Sequence, residues 1–281
     1  MAQAKKTEKS ESGFHLMMVN LVEKVVEFFR GLLNKNVLAF CVRWLTWIGH
    51  LGIIVAAALG FLFAIIFAIR TNSFTGFLYG IGWVILIFVI QYTAKRFLPA
   101  GEGLIKNNPT QLGSKAFLDC FGFLILIGGV IVLIMSIIGA VRTGSIQPFL
   151  WGLGVFFFLE FLALVSFNPD EITINIVEDN SAGQEAIGIV TFFIKGFMKL
   201  VPIFFGIFIV IGIIKLLIDL IGLFGSNLGI AWASGNMNAE GILYAALLPF
   251  LSYVFFAFAY LIIDVVKAIL SIPDKLDKLG K

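Results

Sequence analysis

Glu160 stands in the run FFFLEFLAL, where every neighbour is apolar. A charge at the centre of a membrane span costs about 2.5–3.5 kcal/mol, so such a residue is retained for a reason. Two reasons compete. Either the carboxyl takes up a proton or an ion inside a helix bundle, or it is a hydrogen-bonded group that fixes helix packing. Lys215 and Asp219 lie four residues apart in a second apolar run, so they share a helix face and can pair with each other. Gln91 is polar near the end of a third run, and His50 lies at the boundary of a fourth. Counted from the ends of their helices, Glu160 and Lys215 differ in depth by about 12 Å, which strains any direct pair between them.

Arg70 and Arg142 are each followed by Thr and each close an apolar run. A cation suits a helix C-terminus, where carbonyls lack partners. The alternative is an outward-facing ring of arginines that holds an anionic ligand.

Enzymatic patterns are missing. There is no His-Glu-x-x-His, no Gly-x-Ser-x-Gly elbow, no phosphate loop and no pair of aspartates within spans. The two histidines, His15 and His50, both lie near the N-terminus, which disfavours a His-based active site. Cys41 and Cys120 read as small packing residues. We therefore expect no catalytic residues, no metal site and no cofactor. No basic surface with interleaved aromatics recurs, so nucleic acid is not an expected partner.

The elements that carry these residues are written in composition and repetition. Sixty per cent of residues are hydrophobic, 13% are charged, mean hydropathy is +1.03 and there are 31 Phe. Soluble domains average about 25% charged residues. Residues 65–82, IIFAIRTNSFTGFLYGIG, reappear as 137–154, IIGAVRTGSIQPFLWGLG, with ten identities in eighteen positions. Each copy is two apolar runs joined by an Arg-Thr loop, the sign of a repeated helical hairpin. Runs at 51–69 (beginning as early as Val37), 74–93, 120–141, 146–167, 200–224 and 241–263 each suffice to cross a bilayer. The expected fold is all-α: a polytopic membrane bundle of six spans arranged as three parallel hairpin repeats. Pro148 and Pro202 are read in first turns and Pro249 as a kink. The glycines that open the second and fourth spans, Gly76 to Gly82 and Gly152 to Gly154, read as packing residues.

Around this frame, residues 1–13 are polar and expected to be a disordered cytoplasmic tail; they are not read as a signal peptide. Residues 14–35 are expected to form an amphipathic helix lying in the membrane interface, or packed on the protein's own loops. Hairpin repeat 1 is assigned to 36–107, repeat 2 to 108–180 and a diverged repeat 3, with a cytoplasmic tail, to 181–281. In 168–183 the alternation ITINIV predicts a short strand, and 184–199 reads as a second interfacial helix. Residues 225–240 read as an external loop.

Of the twenty Lys and Arg, seventeen fall on one side of this topology, two (Arg70 and Arg142) on the other, and Lys215 within a span. The positive-inside rule then places both termini in the cytoplasm of a multi-pass protein of a bacterial inner membrane. The leading expectation for function is a non-catalytic scaffold, assembly or accessory subunit of a membrane complex. Its partners would be the lipid bilayer and other membrane subunits or further copies of the chain. The alternatives are a small transporter or channel using Glu160 and Lys215/Asp219, and a membrane-shaping or lipid-binding protein acting through the 14–35 helix.

Overall fold

A computed structural model supplies the structure. It describes residues 33–177 and 181–279, together with Met17, Asn20, Leu21, 23–25 and 27–31. The 1–13 tail lies outside the described residues, as do several positions of the 14–35 segment.

Six helices are long and apolar enough to cross a membrane. They are α1 (Lys35–Thr71), α2 (Phe74–Asn107), α3 (Lys115–Thr143), α4 (Gln147–Phe167), α5 (Ala182–Gly222) and α6 (Leu228–Leu279). The chain is a multi-pass α-helical membrane protein, because hydrocarbon forces the backbone to satisfy its own bonds within each helix. Two three-residue strands, β1 (Thr110–Leu112) and β2 (Ile174–Ile176), pair in parallel with Thr110 opposite Ile174. The ITINIV alternation thus does form a strand. Its partner went unread, being only three residues between Pro109 and Gly113.

Local chemistry sets the helix ends. Asn34 starts α1, its Oδ1 accepting from the Asn36 and Val37 amides at 3.0 and 3.3 Å. Ser114 caps α3, accepting from Phe117 N. Ser181 and Gln184 form a capping box at α5. The turns that close α1 and α3 are alike. Thr71 and Thr143 each bond the carbonyl four residues back, at 2.8 and 2.9 Å. The next residues, Asn72 and Gly144, take left-handed φ of 52° and 63°, a region that Gly enters freely and Asn with little cost.

Three helices outrun their sequence boundaries. α2 continues through Pro99 to Asn107. α5 joins the expected interfacial helix 184–199 to the expected span, so Pro202 lies inside a helix rather than in a first turn. α6 begins at Leu228 and absorbs most of the expected loop 225–240. At 52 residues it measures about 78 Å, well beyond the ~30 Å of hydrocarbon.

The described chain falls into two compact units. The first holds residues up to Leu38 with Ser114–Glu171. Here α3 and α4 run side by side, and small residues set their contact: Gly122 lies under Phe167, Gly129 under Glu160 and Gly152 under Ser136. The helical residues described between Met17 and Gly31 are tied to this pair. Arg30 makes an ion pair with Asp119 and sits 6.0 Å over the Phe167 ring. Phe29 and Leu33 pack on Leu126, Ala163 and Phe167, and Asn168 Nδ2 donates to Leu33 O at 2.9 Å.

The second unit holds Ala39–Gly113 and Ile172–Lys281. Lipid supplies no hydrophobic drive between helices, so close van der Waals contact and buried polar bonds hold them. Gly76 and Gly80 of α2 meet Ala68 and Ala64 of α1. Gly49 and Gly52 of α1 receive Phe205 and Ile209 of α5, and Gly206 lies against the Leu45 backbone. Gly212 of α5 receives Ile242 of α6. Gly188 lies under Gln111 and seats the small sheet on α5.

Candidate functional site

Glu160 belongs to the first unit; Lys215, Asp219, Gln91 and His50 belong to the second. Glu160 is half-buried on α4. Its Oε1 is buried without a hydrogen-bond partner, and it occupies the room that Gly129 leaves: a Cβ there would lie 2.6 Å from that oxygen. The glycine makes the space, and no donor among the described residues fills it.

Lys215 and Asp219 share a helix yet do not pair. Lys215 is exposed, while Asp219 is buried and accepts from Asn238 Nδ2 of α6 at 2.6 Å. The i, i+4 spacing permits the ion pair, but the α5–α6 contact offers the carboxylate a bond inside the protein. Gln91 closes a clasp between α1 and α2. Its Nε2 donates to His50 O at 3.4 Å and its Oε1 lies 3.5 Å from His50 Nδ1, while the imidazole packs edge-on against Phe205.

The two arginines differ. Arg70 donates to the carbonyls of Leu223 and Gly225, the latter at 3.2 Å, closing the open end of α5. This is the capping role in an unexpected form, since Arg70 caps a neighbouring helix rather than its own. Arg142, at the matching place on α3, is exposed.

Two polar residues escaped the sequence reading. Lys195, expected among loop cations, is fully buried and donates to Thr173 O and Oγ1 at 3.2 and 3.1 Å. It thereby holds a residue whose φ is +51°. Glu240, expected at the edge of an external loop, lies within α6. Polar spacing alone carries no sign of either placement; the only signal for Lys195 was that the three residues on each side of it, FFI and GFM, carry no polar side chain.

Among the described residues of the second unit, α1, α2, α5 and α6 leave open clefts, two of which bear on the polar residues. One, of about 690 Å³, has walls from α1, α2, α5 and α6, with Phe63, Tyr79, Trp83, Trp232, Asn236 and Glu240 among its lining. The other, of about 150 Å³, lies where the helix-internal prolines Pro99, Pro202 and Pro249 come together. Glu160, Lys215, Asp219 and Gln91 line neither of them.

Comparison with protein-family models, curated proteins and solved structures finds no match for the chain.

Proposed function

We propose that the protein is a non-catalytic membrane subunit that assembles with other membrane proteins or further copies of itself, and that the α3–α4 hairpin is its docking arm. The observation that carries this reading is the contrast between two hairpins with kindred sequences. In the second unit α1 offers Phe63 to Gly235 and receives Phe205 and Ile209, while Arg70 binds the carbonyl end of α5. In the first unit the matched hairpin has only 11% of the apolar window of α3 buried. Its Ile134, Met135, Ile137, Ile138 and Val141 are exposed, as is Arg142. A hairpin built to the same plan is fitted to receive helices in the same way, with Arg142 placed for a carbonyl end supplied by the partner.

Within this reading the fold is three parallel hairpin repeats, the third diverged. Two equivalences support the kinship of the first two hairpins. Gly80 meets Ala64 and Gly152 meets Ser136, each pair shifted by the offset of the sequence repeat, and the left-handed turns at Asn72 and Gly144 match in the same way. The helical residues described between Met17 and Gly31 are read as the expected amphipathic helix, which stops short of Lys35 because Asn34 starts α1; Met17, Leu21 and Phe28 are exposed and free to meet the membrane interface, while Arg30 pairs with Asp119. Both termini are cytoplasmic, in a bacterial inner membrane.

The test is photocrosslinking in native membranes, with the reactive residue at Met135 or Val141 on α3 and, as control, at Phe88 on α2. Polypeptide adducts from the α3 sites are expected, and lipid adducts alone at all three would overturn the docking reading. One observation favours a second reading, a small transporter or channel: the unbonded Glu160 oxygen beside Gly129 is a place for a proton or small ion. Under that reading Glu160→Gln abolishes flux in proteoliposomes while the protein stays folded.

A further inference from the structure

The larger cleft of the second unit holds a feature that neither reading uses. Glu240 is an acidic side chain inside a membrane helix, and its depth follows from the packing. Ile242 of α6 meets Gly212 of α5, ten residues before α5 ends at Gly222, or about 15 Å along the helix. Arg70 marks that end by binding Leu223 O. Glu240, two residues from Ile242, therefore lies more than a full helix turn from the end of α5 that Arg70 closes, beside the apolar body of that helix rather than at its tip. It is exposed and lines the cleft.

The walls around it are fixed and mostly apolar. Trp83 is held by its Nε1 donating to Ala56 O at 3.1 Å. Trp232 stacks on Phe67 at 3.7 Å and on Phe63 at 5.5 Å between ring centroids. Leu78, Tyr79 and Leu86 of α2 form an exposed lip. The volume, about 690 Å³, falls in the range of ligand sites, roughly 300–1,000 Å³. Walls that need no rearrangement reduce the cost of binding.

Charge and surface together specify the occupant. A lone carboxylate at this depth is costly and is relieved by a cation. Indole and phenol rings attract an ammonium within about 6 Å of their faces. The remaining surface takes hydrocarbon. We propose that this cleft binds an alkyl-chain ammonium compound, its chain against Phe63, Trp83 and Leu86 and its nitrogen at the Glu240 carboxylate. The shared chemistry can come from a lipid with an ammonium headgroup or from a free long-chain amine. This site is independent of the α3–α4 docking arm.

Two variants test it separately. Gly82 lines the cleft and a Cβ there meets nothing within 4 Å, so Gly82→Leu adds apolar bulk to the lining from an open backbone position. Glu240→Gln removes the charge and keeps the shape. Full-length protein in detergent is delipidated, given equal amounts of a phosphatidylethanolamine and a phosphatidylglycerol of identical chains, and read by native mass spectrometry. The wild type is expected to retain the ammonium lipid roughly tenfold over the anionic one. Glu240→Gln should bring the two to parity, and Gly82→Leu should reduce retention of both. Competition by dodecylamine indicates that nitrogen and chain suffice; retention of the lipid despite the amine assigns the source to the lipid. Equal retention of both lipids by the wild type together with no binding of dodecylamine, selectivity that survives Glu240→Gln, or full binding by Gly82→Leu each overturns the proposal.

Discussion

Asp219 shows how a single polar residue is settled inside a membrane bundle. Its carboxylate is buried and takes one strong bond from Asn238. Removing that donor leaves a buried acceptor unsatisfied, which costs about 1–3 kcal/mol. Asn238→Ala is therefore expected to unfold earlier in SDS titration, and Asp219→Ala in the same background should recover part of the loss. Additive losses would mean that the pair is not coupled. Lys215, by contrast, is exposed, and Lys215→Met should leave the unfolding midpoint unchanged. The residue types and the i, i+4 spacing were legible in the sequence, and the ion pair followed from them as the local solution. Asn238 was not legible as the partner, because it lies nineteen residues away in a stretch that reads as a loop.

At the scale of elements, contact between helices depends on where side chains are absent. A Cβ on Gly206 would come within 2.2 Å of Leu45 O, a backbone atom with no freedom to move aside. Gly206→Ala should therefore force α1 and α5 apart, at about 1–3 kcal/mol. Gly128→Ala, where nothing lies within 4 Å, is its control. A thermal melt in detergent checks the pair, and equal midpoints would contradict the crossing. The same scale explains the misread boundaries. Pro202 marks a helix start in water, but neighbouring helices tolerate proline inside a membrane helix, and α5 runs through it. The polar stretch GSNLGIAWASGNMNAE lacks an apolar stripe of its own. It is nevertheless helical from Leu228, held by Trp232 on Phe67, Gly235 on Phe63 and Asn238 on Asp219.

For the whole molecule, an even number of spans returns the chain to the side from which it began. With Cys41 and Cys120 replaced by alanine, single cysteines at Lys5 and Lys281 should react with an impermeant maleimide from one side of a sealed vesicle. A cysteine at Ser145, in the loop between α3 and α4, should react from the other. Opposite reactivity of the two ends would remove a span. The packing also regroups what is adjacent in sequence: the segment before α1 joins α3 and α4, while α1 and α2 join α5 and α6. That regrouping was invisible in the linear order of hairpins.

The sequence by itself determined that this is a membrane protein with six helices long enough to span. Apolar run length against bilayer thickness, and the absence of water to satisfy the backbone, leave no other class of fold. It also placed the hairpin turns, where Thr followed by Asn or Gly closes each helix through local bonds, whereas the bonds of Arg70 are long-range. Only the tertiary structure decided the fate of the polar groups. Asp219, Lys195 and Glu240 are distinguished by what another element brings beside each: an amide, a strained turn's carbonyl, or an aromatic-walled cleft. A buried charge settles on its partner through space, and residue spacing along one helix carries no record of that partner.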